Sequence, residues 1–285
     1  MIYSSSVLKY LLPTDPIDLI EQIDPLYHCF EIPPKRAGRK ARQITAPSDD
    51  LKKTQRDILK LILGKVHPHP SAMAFFEGRS IGANARVHHR CTHLFKTDIH
   101  DFFSSIRIDL IKGMLEASFP HLSSFAIEDI IKLTTLDGAL PQGAPTSPHL
   151  ANLVMLDFDA SITQLCSRIG ASYTRYADDI AVSSNNAEAL DIAEPAISSG
   201  LTRLGLIQNT QKTFRVGPGK SKIVTGLNVS VECVRPPRSF RKKAIALVRI
   251  SEKYPGRMRR YYPRVMGHLA HWQGVCGGAV SRQLV

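Results

Sequence analysis

An α+β fold is predicted for this chain of 285 residues on three observations. Strand-like and helix-like segments alternate irregularly, not as repeated βα units, which disfavours a doubly wound parallel sheet. The stretch "SYTRYADDIAVSS" (Ser172 to Ser184) reads as two strands joined by a tight turn that carries Asp178 and Asp179. A third strand, in "THLFKTDIHDFFSSI", is apolar and ends at Asp98.

The elements follow in order. Pro13, Pro16, Pro25, Pro33 and Pro34 break the first segment into short pieces. "HCFEIPPKRAGRKARQITAP" reads as two short strands joined by a basic, Gly-containing turn. A helix starts after Ser48, which can cap it. Asp49 and Asp50 sit in its first turn, and Leu51, Gln55, Ile58 and Ile62 share one face. After the Asp98 strand, residues 108–118 and 123–135 have helical patterning. "TSPHLANLVMLDFDASITQLCSRI" predicts one longer helix with Pro148 in its first turn. "NAEALDIAEPAISSGLTRLGL" predicts a helix interrupted near Pro195, and "FRVGPGKSKIVTGLNVSVE" further short strands. Beyond Pro236 and Pro237 the pattern is mainly helical.

With 43% hydrophobic and 22% charged residues, the composition is that of a globular protein with a sizeable core, as one large domain or two to three subdomains. No apolar run reaches the roughly 18 residues that span a bilayer. The opening "MIYSSSVLKYLLPTDP" has no signal-peptide pattern. Cys29, Cys91, Cys166, Cys233 and Cys276 are scattered without a C-x-x-C pair. Neither a zinc site nor a disulfide framework is expected, and a cytoplasmic setting is. The net charge is +12. From Arg235 to Arg264 eleven Lys and Arg residues face a single acid, Glu252, with Tyr254, Tyr261 and Tyr262 interleaved. Such a basic, aromatic-bearing stripe is the electrostatic footprint of nucleic-acid binding. A basic surface without such a partner is the plain alternative.

Paired acids between strands repel unless water or a cation compensates them. An acid ending an apolar strand carries the same cost. Asp98 and Asp178 on adjacent strands would suit Mg²⁺, which takes one or two carboxylates together with waters and substrate phosphates. Two such ions serve phosphoryl transfer. Nucleotide cyclases could use similar paired acids, so the acids alone leave the reaction open.

The wider set of motifs narrows it. "YADD" (Tyr176–Asp179) resembles the Y-x-D-D hairpin of reverse transcriptases, and "FKTDIHDFF" the strand bearing their first catalytic aspartate. "LPQGAPTSPHLANL" resembles their L-P-Q-G-x-x-x-S-P segment, "RQITAPSDDLKKTQRDIL" their R-x-I-x-x-P fingers motif, and "GLIQNTQKT" the palm motif with its lysine. All five occur in the family's order. "NARVH" (Asn84–His88) and "VTG" (Val224–Gly226) are similar to the N-A-x-x-H and V-T-G signatures of bacterial retron reverse transcriptases.

That resemblance implies a right-hand polymerase with an antiparallel palm sheet. Residues 1–90 would form fingers, 91–232 palm with a fingers portion around 107–145, and 233–285 a basic, mainly helical thumb. It implies metal ligation by Asp98, Asp178 and, more weakly, Asp179, aided by the backbone carbonyl of Ile99. Two Mg²⁺ ions are expected, or Mn²⁺ in their place. Arg42 and Lys40 would contact the dNTP triphosphate, and Phe103 would be the steric gate against a ribose 2′-hydroxyl. Gln142 and Gly143 would lie under the incoming base pair, Lys212 would serve the leaving pyrophosphate, and Tyr176 would support the primer end. Asn84, His88 and Thr225 would lie near the RNA with polar groups free to bond it. Arg257, Arg259 and Arg260 would grip nucleic-acid phosphates.

The implied partners are dNTPs, a cognate structured noncoding RNA, its cDNA product, and a separate effector protein of an antiphage system. No membrane partner is implied. A group II intron-like or other defence-associated reverse transcriptase is one alternative, separable by priming from the RNA itself against an annealed primer. A noncatalytic RNA-binding scaffold is another, disfavoured by the intact set of acids.

Overall fold

The computed structural model describes residues 7–21, 26–33, 41–230 and 233–276. A 3₁₀ turn at Val7–Tyr10 and a short helix α1 (Ile17–Glu21) precede an antiparallel hairpin, β1 (Tyr27–Ile32) and β2 (Arg42–Pro47). Helix α2 (Asp49–Leu61) follows. Ser48 Oγ accepts from the Leu51 N–H, and Leu51, Gln55 and Ile58 are buried on one face, as their spacing predicts. Then come α3 (Ile81–Val87), β3 (His93–Asp98), α4 (Phe102–Ser105), α5 (Ile108–Ser118) and α6 (Ser124–Thr134). Next are α7 (Ser147–Val154), α8 (Leu156–Arg168), the hairpin β4 (Ala171–Tyr176) and β5 (Asp179–Ser184), and α9 (Glu188–Arg203). Strand β6 (Phe214–Val216), the small hairpin β7 (Ile223–Val224) and β8 (Leu227–Asn228), and helices α10 (Arg238–Lys253), α11 (Pro255–Met258) and α12 (Tyr262–Cys276) complete the order. Among the described residues no helix is long and apolar enough to cross a membrane.

Two helix expectations are corrected. The long helix after Thr146 bends at Met155 and becomes α7 and α8. Hydrogen bonds continue across the bend, Met155 N to Ala151 O and Asp159 N to Met155 O. Met155 itself is fully buried, so packing, not a breaker residue, sets the bend. Conversely, α9 runs unbroken through Pro195. The proline leaves the Asp191 carbonyl without its helical donor. Both residues are exposed, so water is at hand for that carbonyl.

The central sheet has four antiparallel strands in the order β4-β5-β3-β6. Alternation along its strands sends side chains to two covered faces. Phe95, Tyr173, Ile180 and Val182 join the main core beneath α2 and α5 to α9. Leu94 and Ala181 face the other way and pack with Ala85 of α3, Val224 and Leu227 of the β7–β8 hairpin, Val234, and Val275 of α12.

This second face holds both short signatures. Asn84 Nδ2 donates to Thr225 Oγ1 at 3.4 Å, and Thr225 Oγ1 donates to the Ile81 carbonyl at 3.0 Å. Thr225 and Gly226 form the β7–β8 turn with positive φ, 44° and 79°. His88 caps α3 and has no exposed surface. Its ring bridges β5 and β4, with Nδ1 2.8 Å from Ser183 Oγ and Nε2 2.7 Å from Thr174 Oγ1. The expectation that these polar groups meet RNA directly is therefore corrected for His88 and Asn84. Both are buried, and both ring nitrogens of His88 are occupied within the protein.

Burial, with the nearby Lys96 charge, holds the imidazole neutral and pushes its pKa from 6.5 down to about 3. The unfolded chain then binds more protons than the folded one between those two values. Stability from this group is complete above the unfolded pKa and is lost as pH falls below it. Comparing the wild type with His88→Gln isolates the effect. The wild type should lose about 1 kcal/mol more per pH unit between about pH 6 and pH 4, read from denaturant unfolding. Parallel curves for the two proteins would refute this account of His88.

Candidate active site

The pairing register of the central sheet brings the acids together. Asp98, the last residue of β3, lies opposite Asp179, the first residue of β5, and Asp179 in turn lies opposite Tyr176. Only Ala177 and Asp178 connect β4 to β5, and Ala177 takes the left-handed conformation at φ 58°. The Ile99 N–H donates to the Asp178 carbonyl at 3.0 Å, which locks the turn to the end of β3. Asp98 and Asp179 project on the same face as Leu94 and Ala181. The signature elements α3 and β7–β8 thus cover one end of the face whose other end carries the acids.

Each carboxylate has a different environment. Asp98 Oδ1 accepts from Lys212 Nζ at 2.7 Å and from Asn209 Nδ2 at 3.3 Å. Asp179 Oδ2 accepts from Lys96 Nζ at 2.8 Å. Among the described residues no cation forms an ion pair with Asp178. Burial first, and then the charge of Asp98, push its carboxyl up to about 6. Burial also raises Asp179, against the pull of Lys96. Two carboxylates held in repulsion at a partly desolvated turn form a donor set that a divalent cation relieves. Mg²⁺ accepts such a small carboxylate set because waters and phosphates complete its shell. Among the described residues no three His, Cys, Asp or Glu side chains form a group that could hold a metal ion. Asp98 and Asp178 fit an open site in which waters and substrate phosphates supply the remaining ligands.

The other predicted residues divide into those near this centre and those elsewhere. Phe103, in α4, is half-buried, its ring centre 5.6 Å from Phe102 and 6.2 Å from Phe75. Gln142 and Gly143 are exposed on the loop before α7, and the Gln142 carbonyl accepts from the Thr45 N–H of β2 at 2.8 Å. Gly143 sits at φ 143°, and a Cβ there would lie 2.7 Å from the Thr45 carbonyl oxygen, so only glycine allows this approach. Lys212 is engaged with Asp98 and Tyr176 is half-buried beside the turn. Ile99 is buried.

Arg42 is the first residue of β2, paired with Ile32, and its side chain lies outside the described residues, as does Lys40 altogether. Arg257 belongs to α11, its side chain again outside them. Arg259 and Arg260 are exposed on the turn before α12, and the Arg260 guanidinium lies 5.2 Å from the Tyr261 ring centre.

Four supporting residues escaped the sequence reading: Lys96, Asn209, Asp159 and Arg175. Lys96 had a signal, since it stands two residues before Asp98 and so shares its face. Arg175 had a weaker one, a cation inside an otherwise buried strand. Asn209 and Asp159 had none, because their partners lie far away in the chain.

Comparison with known proteins agrees with this geometry. The family described as reverse transcriptase (RNA-dependent DNA polymerase) matches residues 33–229. The retron Ec86 reverse transcriptase of Escherichia coli is 33% identical over 217 residues, covering 76% of this chain and 67% of that protein. The retron Mx162 reverse transcriptase of Myxococcus xanthus is 33% identical over 257 residues, covering 79% and 53%. The retron Ec83 reverse transcriptase of Escherichia coli is 30% identical over 215 residues, covering 72% and 68%. The chain thus spans between about half and two thirds of the length of these relatives. Among solved structures, an apo telomerase from Candida tropicalis, truncated from its C-terminal domain, shares the fold. Its TM-score is 0.53 at 13% identity, with 77% of this chain and 59% of that one covered. With its mixed architecture and antiparallel sheet, the chain has a polymerase fold. It belongs to the reverse transcriptase family of RNA-directed DNA polymerases and, within it, to the bacterial retron reverse transcriptases.

Proposed function

We propose that this protein reverse-transcribes part of a cognate structured noncoding RNA into a covalently linked RNA–DNA hybrid, with synthesis growing from an internal guanosine 2′-hydroxyl. The observation that carries the chemistry is the Asp98–Asp178 pair at the end of β3 and the β4–β5 turn, with Asp178 raised to about 6 by burial and by Asp98. Divalent ions held there, two Mg²⁺ or Mn²⁺ in their place, would supply activation of the attacking hydroxyl and stabilisation of the pyrophosphate leaving group.

The chain's own residues do the rest. Asp98 and Asp178 would hold the cations, with Asp179 and the Ile99 carbonyl in support. Asp179 keeps Lys96 close, which limits the negative charge of the cluster. Lys212 would leave Asp98 for the leaving pyrophosphate and either protonate it or neutralise it as an ion pair. Arg42 and Lys40 contact the dNTP triphosphate, since a guanidinium fork matches phosphate oxygens. Gln142 and Gly143 pass under the incoming base pair, with their loop tied to β2 through Thr45. Phe103 occupies the space a 2′-hydroxyl would need, and Tyr176 supports the primer end.

Residues 1–90 serve as fingers and 91–232 as palm, with 107–145 returning to the fingers. Residues 233–285 serve as a thumb that holds nucleic acid through Arg257, Arg259, Arg260 and the tyrosines between them. Asn84, His88 and Thr225 act on RNA use by fixing the face beside the acids. The biological role is antiphage defence with a separate effector protein, inside the cell.

Asp98→Asn and Asp178→Asn should each abolish dNTP incorporation on the adjacent noncoding RNA while leaving RNA affinity and folding intact, because the amide keeps the shape and loses the charge. Incorporation near the wild-type level in either folded variant would remove these acids from the site. Synthesis only from an annealed primer, never from the RNA itself, would favour a group II-like enzyme.

Phe103→Ala should relax sugar selection, measured as the ratio of dNTP to rNTP incorporation. A folded, active variant with the wild-type ratio would return Phe103 to core packing.

A further inference from the structure

We propose that Arg175 is a positioning residue that sets the Ala177–Asp178 turn through a buried network with Asp159 and Asn152; this rests on reading Asp178 as a metal-holding acid. Arg175 lies in β4 on the face opposite the acids and has no exposed surface. Asp159, in α8, is equally buried. Arg175 Nε donates to Asp159 Oδ1 at 3.0 Å and Nη2 to Asp159 Oδ2 at 2.6 Å, a two-pronged pair. Tyr173 OH donates to the same carboxylate at 2.6 Å.

The remaining prong explains why a guanidinium is used. Nη1 donates to the Ala177 carbonyl at 3.0 Å and to Asn152 Oδ1 at 3.1 Å. Ala177 is the residue held at positive φ, an uncommon state for a side chain bearing Cβ. Asn152 Nδ2 continues the network to the Ala74 carbonyl at 3.0 Å. The backbone of Arg175 pairs with the same segment, donating to Ser71 O at 2.9 Å and accepting from Met73 N at 2.7 Å. The guanidinium carbon stands 5.8 Å from the ring centre of Phe102, the neighbour of Phe103. One cation therefore ties the turn that presents Asp178 to the helices that follow the Gln142–Gly143 loop and to Phe102, whose ring packs on Phe103. It touches no reacting group.

Stability alone does not call for this arrangement. Apolar residues of similar volume commonly replace a buried ion pair without loss, whereas removing one partner strands a charge. A lysine cannot reproduce the planar fork that serves three acceptors at once. The network is therefore read as geometry held for the turn.

The test uses the full chain as wild type, Arg175→Met, the double variant Arg175→Met with Asp159→Leu, and Arg175→Lys. Thermal unfolding, kcat and KM for dNTP, and the Mg²⁺ concentration for half-maximal rate are measured for each. The single methionine variant should be strongly destabilised. The double variant should be more stable than the single one but short of the wild type, because the Tyr173 hydroxyl, Asn152 Oδ1 and the Ala177 carbonyl lose partners. It should keep a kcat lowered by about 10²-fold, the cost of misplacing reacting groups by about an ångström. Its KM should change little and its Mg²⁺ requirement should rise. Arg175→Lys should fold with the same kcat defect, and it decides the matter if the double variant does not fold. A folded double variant or Arg175→Lys protein with wild-type kcat and Mg²⁺ requirement overturns the proposal. A wild-type protein whose incorporation does not depend on Asp98 and Asp178 overturns the reading of the site instead.

Discussion

The antiparallel register of β3 against β5 is the constraint on which the site depends. It sets Asp98 opposite Asp179 and brings Asp178 to the end of β3. A slip of one residue would turn every side chain of the strand to the other face. Here that slip is costly on both sides. Phe95, Ile180 and Val182 would leave the main core, and Leu94 and Ala181 would leave the second one. Hydrophobic burial on two faces thus determines that Asp98, Asp178 and Asp179 come to the same end of the sheet.

Their repulsion is distributed, not removed. Lys212 takes Asp98 and Lys96 takes Asp179, while Asp178 keeps a carboxyl pushed upward by burial and by its neighbour. Asp178 is therefore the acid with most to gain from a divalent cation. The surrounding elements hold that imbalance in place. Beneath the turn, Arg175 reaches Ala177, Asn152 and Asp159. At the side, Gly143 lets its loop lie against β2 at a distance no Cβ would allow. On the face shared with the acids, His88 stitches β4 to β5 through two hydroxyls, and Asn84 joins α3 to the β7–β8 turn.

The second face also connects the site to the basic C-terminal segment. Val234 and Val275 pack into the same apolar cluster as Ala85, Val224 and Leu227. Further along, Trp272 of α12 packs with Ala244 of α10, and Phe240 stacks on His268. The positively charged surface of Arg259 and Arg260 is thus carried on helices anchored to the sheet through the two signatures. The side chains of Asn84 and His88 do not reach solvent, so these two residues act on the rest of the protein through packing.

How much was legible in the sequence follows from the range of the interactions involved. The β4–β5 hairpin, the Asp98 strand and the Ser48-capped helix were legible because alternation, turn chemistry and capping act over a few residues. The order of five motifs made the family and its acids legible as a resemblance. Long-range pairing alone decided the rest. The bend at Met155 comes from core packing, and the continuity of α9 through Pro195 from the exposure of that helix face. The burial of His88 depends on Ser183 and Thr174, 95 and 86 positions away. The role of Arg175 depends on Asp159 and Asn152, which no spacing rule links to it. The sequence by itself determined which groups carry charge and which segments bury. Only the tertiary structure decided which charge meets which, because hydrogen bonds and ion pairs depend on distances that folding alone creates.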